Sequence, residues 1–181
     1  MRTIRHYWQS ERGMTLIELL IACFLTFLVA GAAMEFYISQ HKTWLVENDV
    51  AAVQQNVRAS LDEIAGALRM GGYQLKSHPA YTLGADSLTI YQRDDATAEV
   101  DTTLYFVATD DQAQTNLYRQ FKGETPEVLA ENVESFALTR LGPNLIDISL
   151  TARAPKPDSA LIAGDGYRRR TFETQVRLRN L

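Results

Sequence analysis

The chain changes its hydrophobic rhythm twice. From Leu19 to Met34 no residue carries a charge, and with Met14–Glu18 added the run covers 21 positions. That is close to the roughly 20 residues a helix needs to cross a bilayer. Beyond it, Val46, Val50, Val53, Val57, Leu61, Ile64 and Leu68 follow at intervals of 4, 3, 4, 4, 3 and 4, with polar residues between them. This spacing lines one face of an α-helix. No proline occurs before Pro79, and Gly31 and Gly66 are the only glycines from Met14 to Met70. The pattern predicts one near-continuous helix from Met14 to about Met70, roughly 85 Å long at a rise of about 1.5 Å per residue. Gly71-Gly72 supplies the stop, because glycine readily takes the left-handed C-cap conformation.

From Tyr73 the period becomes two, the signature of half-buried strands. Leu88 and Ile90 alternate with Thr89 and Tyr91, and Leu104, Phe106 and Ala108 alternate in the next run. Leu117–Phe121 follows a polar turn at Asp110–Thr115. Phe136 and Leu138 precede the turn signal Gly142-Pro143-Asn144. Ile146, Ile148, Leu150 and Ala152 alternate with polar partners. Residues 154–166 hold two prolines and two glycines and read as a long loop, and Phe172, Thr174, Val176 and Leu178 share a face of the last strand. Short strands with one apolar face predict an antiparallel sheet, and the helical stripe is its natural cover. The expected class is α+β. A helix of this length cannot be buried inside a small domain, so its first half must lie in lipid or among other helices.

Composition and charge narrow the classes of function. With 46% apolar and 22% charged residues among 181, the chain reads as globular rather than disordered. A net charge of -4 gives no electrostatic support for nucleic-acid binding. Ahead of the apolar run stand Arg2, Arg5 and Arg12 against Glu11; without residues 1–13 the net charge becomes -6. Positive charge on that side keeps it cytoplasmic and sends the rest outward. Cys23 is the only cysteine, so no intrachain disulfide and no cysteine-based metal site can form.

Glu18 is the anomaly, a carboxylate near the start of an apolar span, and such a group is costly unless it has a task. A cleaved secretory signal ending at Ala30-Gly31-Ala32 would leave Glu18 inside an overlong apolar core. A lipoprotein signal at Leu20-Ile21-Ala22-Cys23 would leave an apolar tail where a polar tether is expected. An uncleaved anchor leaves Glu18 without a partner.

No catalytic constellation is legible. His6, His41 and His78 lack metal-ligand spacing and read as surface residues. Asp94-Asp95, Asp101 and Asp110-Asp111 are loop acids without the D-x-D-x-D-G pattern of a calcium loop. Gly164-Asp165-Gly166 reads as a turn. Arg168-Arg169-Arg170 could meet an anionic polymer, but better fits a solvated strand edge. Tyr37 and Trp44 suit a membrane interface or ordinary packing. No metal and no cofactor are expected.

The segment Gly13-Met14-Thr15-Leu16-Ile17-Glu18 resembles the cleavage and methylation signal of type IV prepilins and type II secretion pseudopilins, with Met14 where that family usually has phenylalanine. The resemblance implies cleavage by prepilin peptidase between Gly13 and Met14, N-methylation of Met14, and a subunit-assembly role for Glu18. The carboxylate would meet the Met14 amine one turn away, or that of a neighbouring subunit, the arrangement the family favours. It implies a type IV pilin-like fold divided into a leader (1–13), a transmembrane and filament-core helix (14–35), its amphipathic continuation (36–72) and an extracytoplasmic β-rich domain (73–181). The implied partners are the peptidase, other minor and major pilins or pseudopilins, an inner-membrane assembly platform and the lipid bilayer. Leu68-Arg69-Met70-Gly71-Gly72-Tyr73 and the ending Val176–Asn180 resemble PilW-type minor pilins; the first also resembles, more loosely, GspJ-type pseudopilins. Many major pilins close a C-terminal loop with a disulfide, which this chain cannot do. The expected function is therefore a minor pilin of a type IV pilus, with no enzymatic role. The alternatives are a J-type pseudopilin of type II secretion and, from another class, a membrane-anchored extracytoplasmic binding domain.

Overall fold

A single helix, α1 (Leu16–Met70), opens the computed structural model, which describes residues 13–75, 77–93, 97, 99–158, 161 and 164–180. Its start is capped. The Thr15 carbonyl accepts the Leu19 N–H at 3.1 Å, and the Thr15 hydroxyl accepts the Glu18 N–H at 3.3 Å. Its end is the predicted glycine stop: Gly71 N–H reaches the Ala67 carbonyl at 2.9 Å, and Gly72 takes a φ of 78°. The chain divides into two compact units, one ending at Trp44 and the other beginning at Leu45.

Within the second unit the valine-leucine stripe does what its spacing predicts. Val50, Val57, Leu61, Ile64 and Leu68 are buried, Val53 is partly so, and Val46 is half-buried. At about 1.5–3 kcal/mol for each large apolar side chain buried, these five contribute on the order of 10 kcal/mol. Valine is a mediocre helix former, by a few tenths of a kcal/mol per residue. Packing, not propensity, therefore holds this half of the helix.

The helix covers two antiparallel sheets rather than the single one expected. The first contains β1 (Tyr81–Leu83), β2 (Ser87–Arg93), β3 (Val100–Thr109), β4 (Thr115–Phe121) and β5 (Glu127–Ala130), in sequential order. The second contains β6 (Val133–Gly142), β7 (Leu145–Arg153) and β8 (Arg169–Arg177). The break lies at Glu131-Asn132. Asn132 takes a left-handed φ of 56°, and its buried N–H is captured by the Asn116 side-chain oxygen at 3.0 Å. Asparagine enters that conformation more easily than other side chains, so the chain turns out of the first sheet there.

Register corrects one strand face. Leu88 pairs with Tyr105 and Ile90 with Thr103, and partners directly opposite point to the same side of a sheet. Leu88 and Ile90 face the helix, so Tyr105 and Thr103 do too, and both are buried. Leu104 and Phe106 consequently lie on the opposite face, where Phe106 stacks on Tyr118 with centroids 5.5 Å apart. In β7 the alternation reads as predicted, with Ile146, Ile148, Leu150 and Ala152 all buried. In β8, Val176 is buried and Phe172 packs against the core.

Candidate assembly segment at the helix start

The residues singled out by sequence gather at one end of α1. Gly13 precedes the helix in open space, and Met14 is 64% exposed. Thr15 is the N-cap, which makes Glu18 the third helical residue. The Thr15-x-x-Glu18 spacing is that of a capping box, of which only the bond from the Glu18 N–H to the Thr15 hydroxyl is made, and a carboxylate in the first turn also offsets the positive end of the helix dipole. Thr15 was not among the expected site residues, although the T-x-x-E spacing was visible in the sequence. Among the described residues, the Glu18 carboxylate has no hydrogen bond and no ion pair.

The apolar run that follows buries nothing. Leu16, Ile17, Leu20, Phe24, Phe27 and Val29 are all exposed, as is Cys23. The one polar group at its middle, the Thr26 hydroxyl, donates back to the Ala22 carbonyl at 2.8 Å and so needs no external partner. This is a helix long and apolar enough to cross a membrane, near the N-terminus. An apolar surface this continuous must meet lipid or other apolar chains.

The remaining sequence candidates have local employment. Asp110 accepts the N–H groups of Gln112 and Gln114 at 2.9 and 2.8 Å and so builds its own turn. Asp94-Asp95 and the leader residues up to Arg12 lie outside the described residues. Among the described residues no group of three or more His, Cys, Asp or Glu side chains could hold a metal. Gly164-Asp165-Gly166 is a turn with both glycines at positive φ. Arg169 bridges Asp165 and Glu134, and its hydrogen bond to Asp165 holds that carboxyl well below the usual carboxylate range. Arg168 pairs with Asp158 at 2.6 Å and with Glu47 at 3.5 Å. Two of the three arginines in the run are thus already neutralised, which leaves little for an anionic polymer. His41 lies exposed between Tyr37 and Trp44.

One cluster was not anticipated. Arg119 on β4 reaches Glu63 of α1 at 2.6 Å and Glu127 of β5 at 2.8 Å, with its guanidinium 4.7 Å from the centre of the Phe121 ring. Tyr105 lies beside it, its phenol pushed up first by burial and then by the charge of Glu63. No motif marks this cluster in sequence, since its members are scattered from Glu63 to Glu127 over four separate elements.

Residues 8–34 match the prokaryotic N-terminal methylation motif. No curated protein and no solved structure matches the chain.

Proposed function

We propose that this chain, a type IV prepilin or pseudopilin by its methylation motif, is a minor pilin. Its role is structural. Prepilin peptidase would cut between Gly13 and Met14 and methylate the new amino group. The apolar half of α1 would hold the subunit in the inner membrane, with the β-rich part extracytoplasmic, until the helix passes into the core of a type IV pilus. The observation that carries the reading is Glu18, a carboxylate one turn into a fully exposed apolar helix and without a partner among the described residues. A carboxylate and an ammonium buried in lipid are each costly alone and tolerable as a pair. The Met14 amine of a neighbouring subunit is a partner that processing itself would create. The absence of a second cysteine supports a minor rather than a major subunit.

The test is mass spectrometry of the mature protein together with its recovery from sheared filaments. A methylated N-terminus at Met14 and presence in pili at low copy are expected. A lipidated start at Cys23, or a start at Ala33, would overturn the reading. Recovery with secretion pseudopilins instead of pilins would move the chain to type II secretion.

A further inference from the structure

Tyr37, His41 and Trp44 stand at i, i+4 and i+7 on α1 and form a continuous ring stack. The Tyr37 and His41 ring centroids are 6.1 Å apart and inclined by 6°; those of His41 and Trp44 are 6.0 Å apart and inclined by 17°. All three are exposed, Tyr37 at 63% and Trp44 at 60%. Among the described residues no side chain covers these three stacked rings. Their place along the helix explains their exposure. Helical spacing puts Phe27, Ala30 and Met34 on the same face before the stack and Asn48 after it, so the face passes from apolar through amphipathic to polar. Each ring joins apolar ring carbons to a polar edge: a phenol O–H, the two imidazole nitrogens or an indole N–H. Tyrosine and tryptophan concentrate at the level of lipid headgroups, and histidine shares their apolar body and polar tip.

We propose that the Tyr37–His41–Trp44 stack is a headgroup anchor that fixes how deep α1 sits in the outer leaflet of the membrane. The proposal rests on the membrane-spanning reading of the helix. The occupant is the headgroup layer, because the stack is continuous with the apolar span. Leu16–Glu35 is 20 residues long and covers about 30 Å, the thickness of the hydrocarbon core. The stack begins two residues later and rises about 10 Å from Tyr37 to Trp44. The interfacial layer on each side is about 5–8 Å thick, so the stack crosses it from the hydrocarbon boundary to its outer rim. Rings already stacked on one another lose less freedom on entering that layer than three independent side chains would.

The chain carries its own probes. Trp8 and Trp44 are its only tryptophans and Cys23 its only cysteine. In the full-length chain with Trp8→Phe, reconstituted in phosphatidylcholine vesicles, Trp44 emission would be quenched by nitroxide lipids. A headgroup nitroxide should quench it about twofold or more better than a mid-chain nitroxide, as a residue at headgroup level requires. A bimane on Cys23, within the span, should show the reverse order. If Cys23 follows the mid-chain quencher but Trp44 responds only to aqueous iodide, or equally to both nitroxides, the anchor is wrong and the span stands. If Cys23 fails to respond to the mid-chain quencher, the membrane-spanning reading falls and takes the anchor with it.

Discussion

Arg119 of β4 donates to Glu63 of α1 at 2.6 Å, tying the helix to the first sheet at a point where both side chains are only partly accessible. The same guanidinium binds Glu127, and its Nε is buried with no hydrogen-bond partner among the described residues. Removing Arg119 leaves Glu63 beside the buried Tyr105 phenol without its ion-pair partner. Arg119→Ala is expected to destabilise the fold by about 1–2 kcal/mol, the lower part of the range for hydrogen bonds to charged groups, because solvent screens the pair. Glu63→Gln keeps an acceptor for both neighbours and should cost less. Denaturant unfolding of both variants, followed by near-ultraviolet circular dichroism, measures the order.

Tyr105 makes stability depend on alkaline pH. Its phenol is held protonated in the folded state by burial and by Glu63, whereas in the unfolded chain it ionises near its ordinary value of 10.0. Above that value the unfolded state binds fewer protons than the folded one, so stability is complete below pH 10.0 and falls as pH rises. The slope from this single group is at most about 1.4 kcal/mol per pH unit. Tyr105→Phe should flatten the decline above pH 10.0 by that share while leaving the neutral-pH slope unchanged. Equal slopes in both proteins would show that the buried phenol is not the group responsible.

These two residues also mark the limit of what the sequence discloses. The helix, its stripe, its glycine stop and the β7 alternation were legible because each is a local period read against one covering surface. The inward face of β3 was not. Leu104 and Phe106 are more apolar than Thr103 and Tyr105, so composition favours the wrong face; pairing with Leu88 and Ile90 decides it. The division into two sheets hinges on one left-handed asparagine, and β1 and β5 are three and four residues long, too short to show a period. At the N-terminus the reverse holds. Glu18 stands out in the sequence as an isolated charge in an apolar run, without any tertiary contact, whereas Gly13 and Met14 are singled out only by the resemblance to a prepilin signal.

Gly72 is expected to tolerate no side chain. Its φ is 78°, and an added Cβ would lie 2.1 Å from the backbone oxygen of Asn180 and 2.8 Å from the Ala80 Cβ. Gly72→Ala combines left-handed strain with a clash against backbone and should cost well over about 1 kcal/mol. Gly66 offers the control. It lies inside α1 with nothing within 4 Å of an added Cβ, so Gly66→Ala should stabilise by about 0.5–1 kcal/mol. Thermal unfolding midpoints moving in opposite directions would bear this out. A neutral Gly72→Ala would mean that the helix exit can relax away from the C-terminal segment.

Glu18 has two possible employments, and the cap geometry separates them. As a first-turn residue it only sets its carboxylate against the helix dipole and its N–H on the Thr15 hydroxyl, and that N–H survives in Glu18→Ala. Thr15→Val removes the cap and keeps the carboxylate, at a cost of about 1 kcal/mol of local helix stability. If the carboxylate serves assembly, its loss leaves the neighbour's ammonium buried without a partner, a penalty of several kcal/mol. Glu18→Ala should then be cleaved and inserted at the wild-type level, yet recovered from sheared filaments at least about tenfold less, tenfold corresponding to about 1.4 kcal/mol. Thr15→Val should be recovered nearly as wild type. Membrane levels and filament recovery, measured side by side by immunoblot, decide between the two roles. Equal recovery of Glu18→Ala and wild type would reduce Glu18 to a first-turn carboxylate set against the helix dipole and remove the main support for the pilin reading.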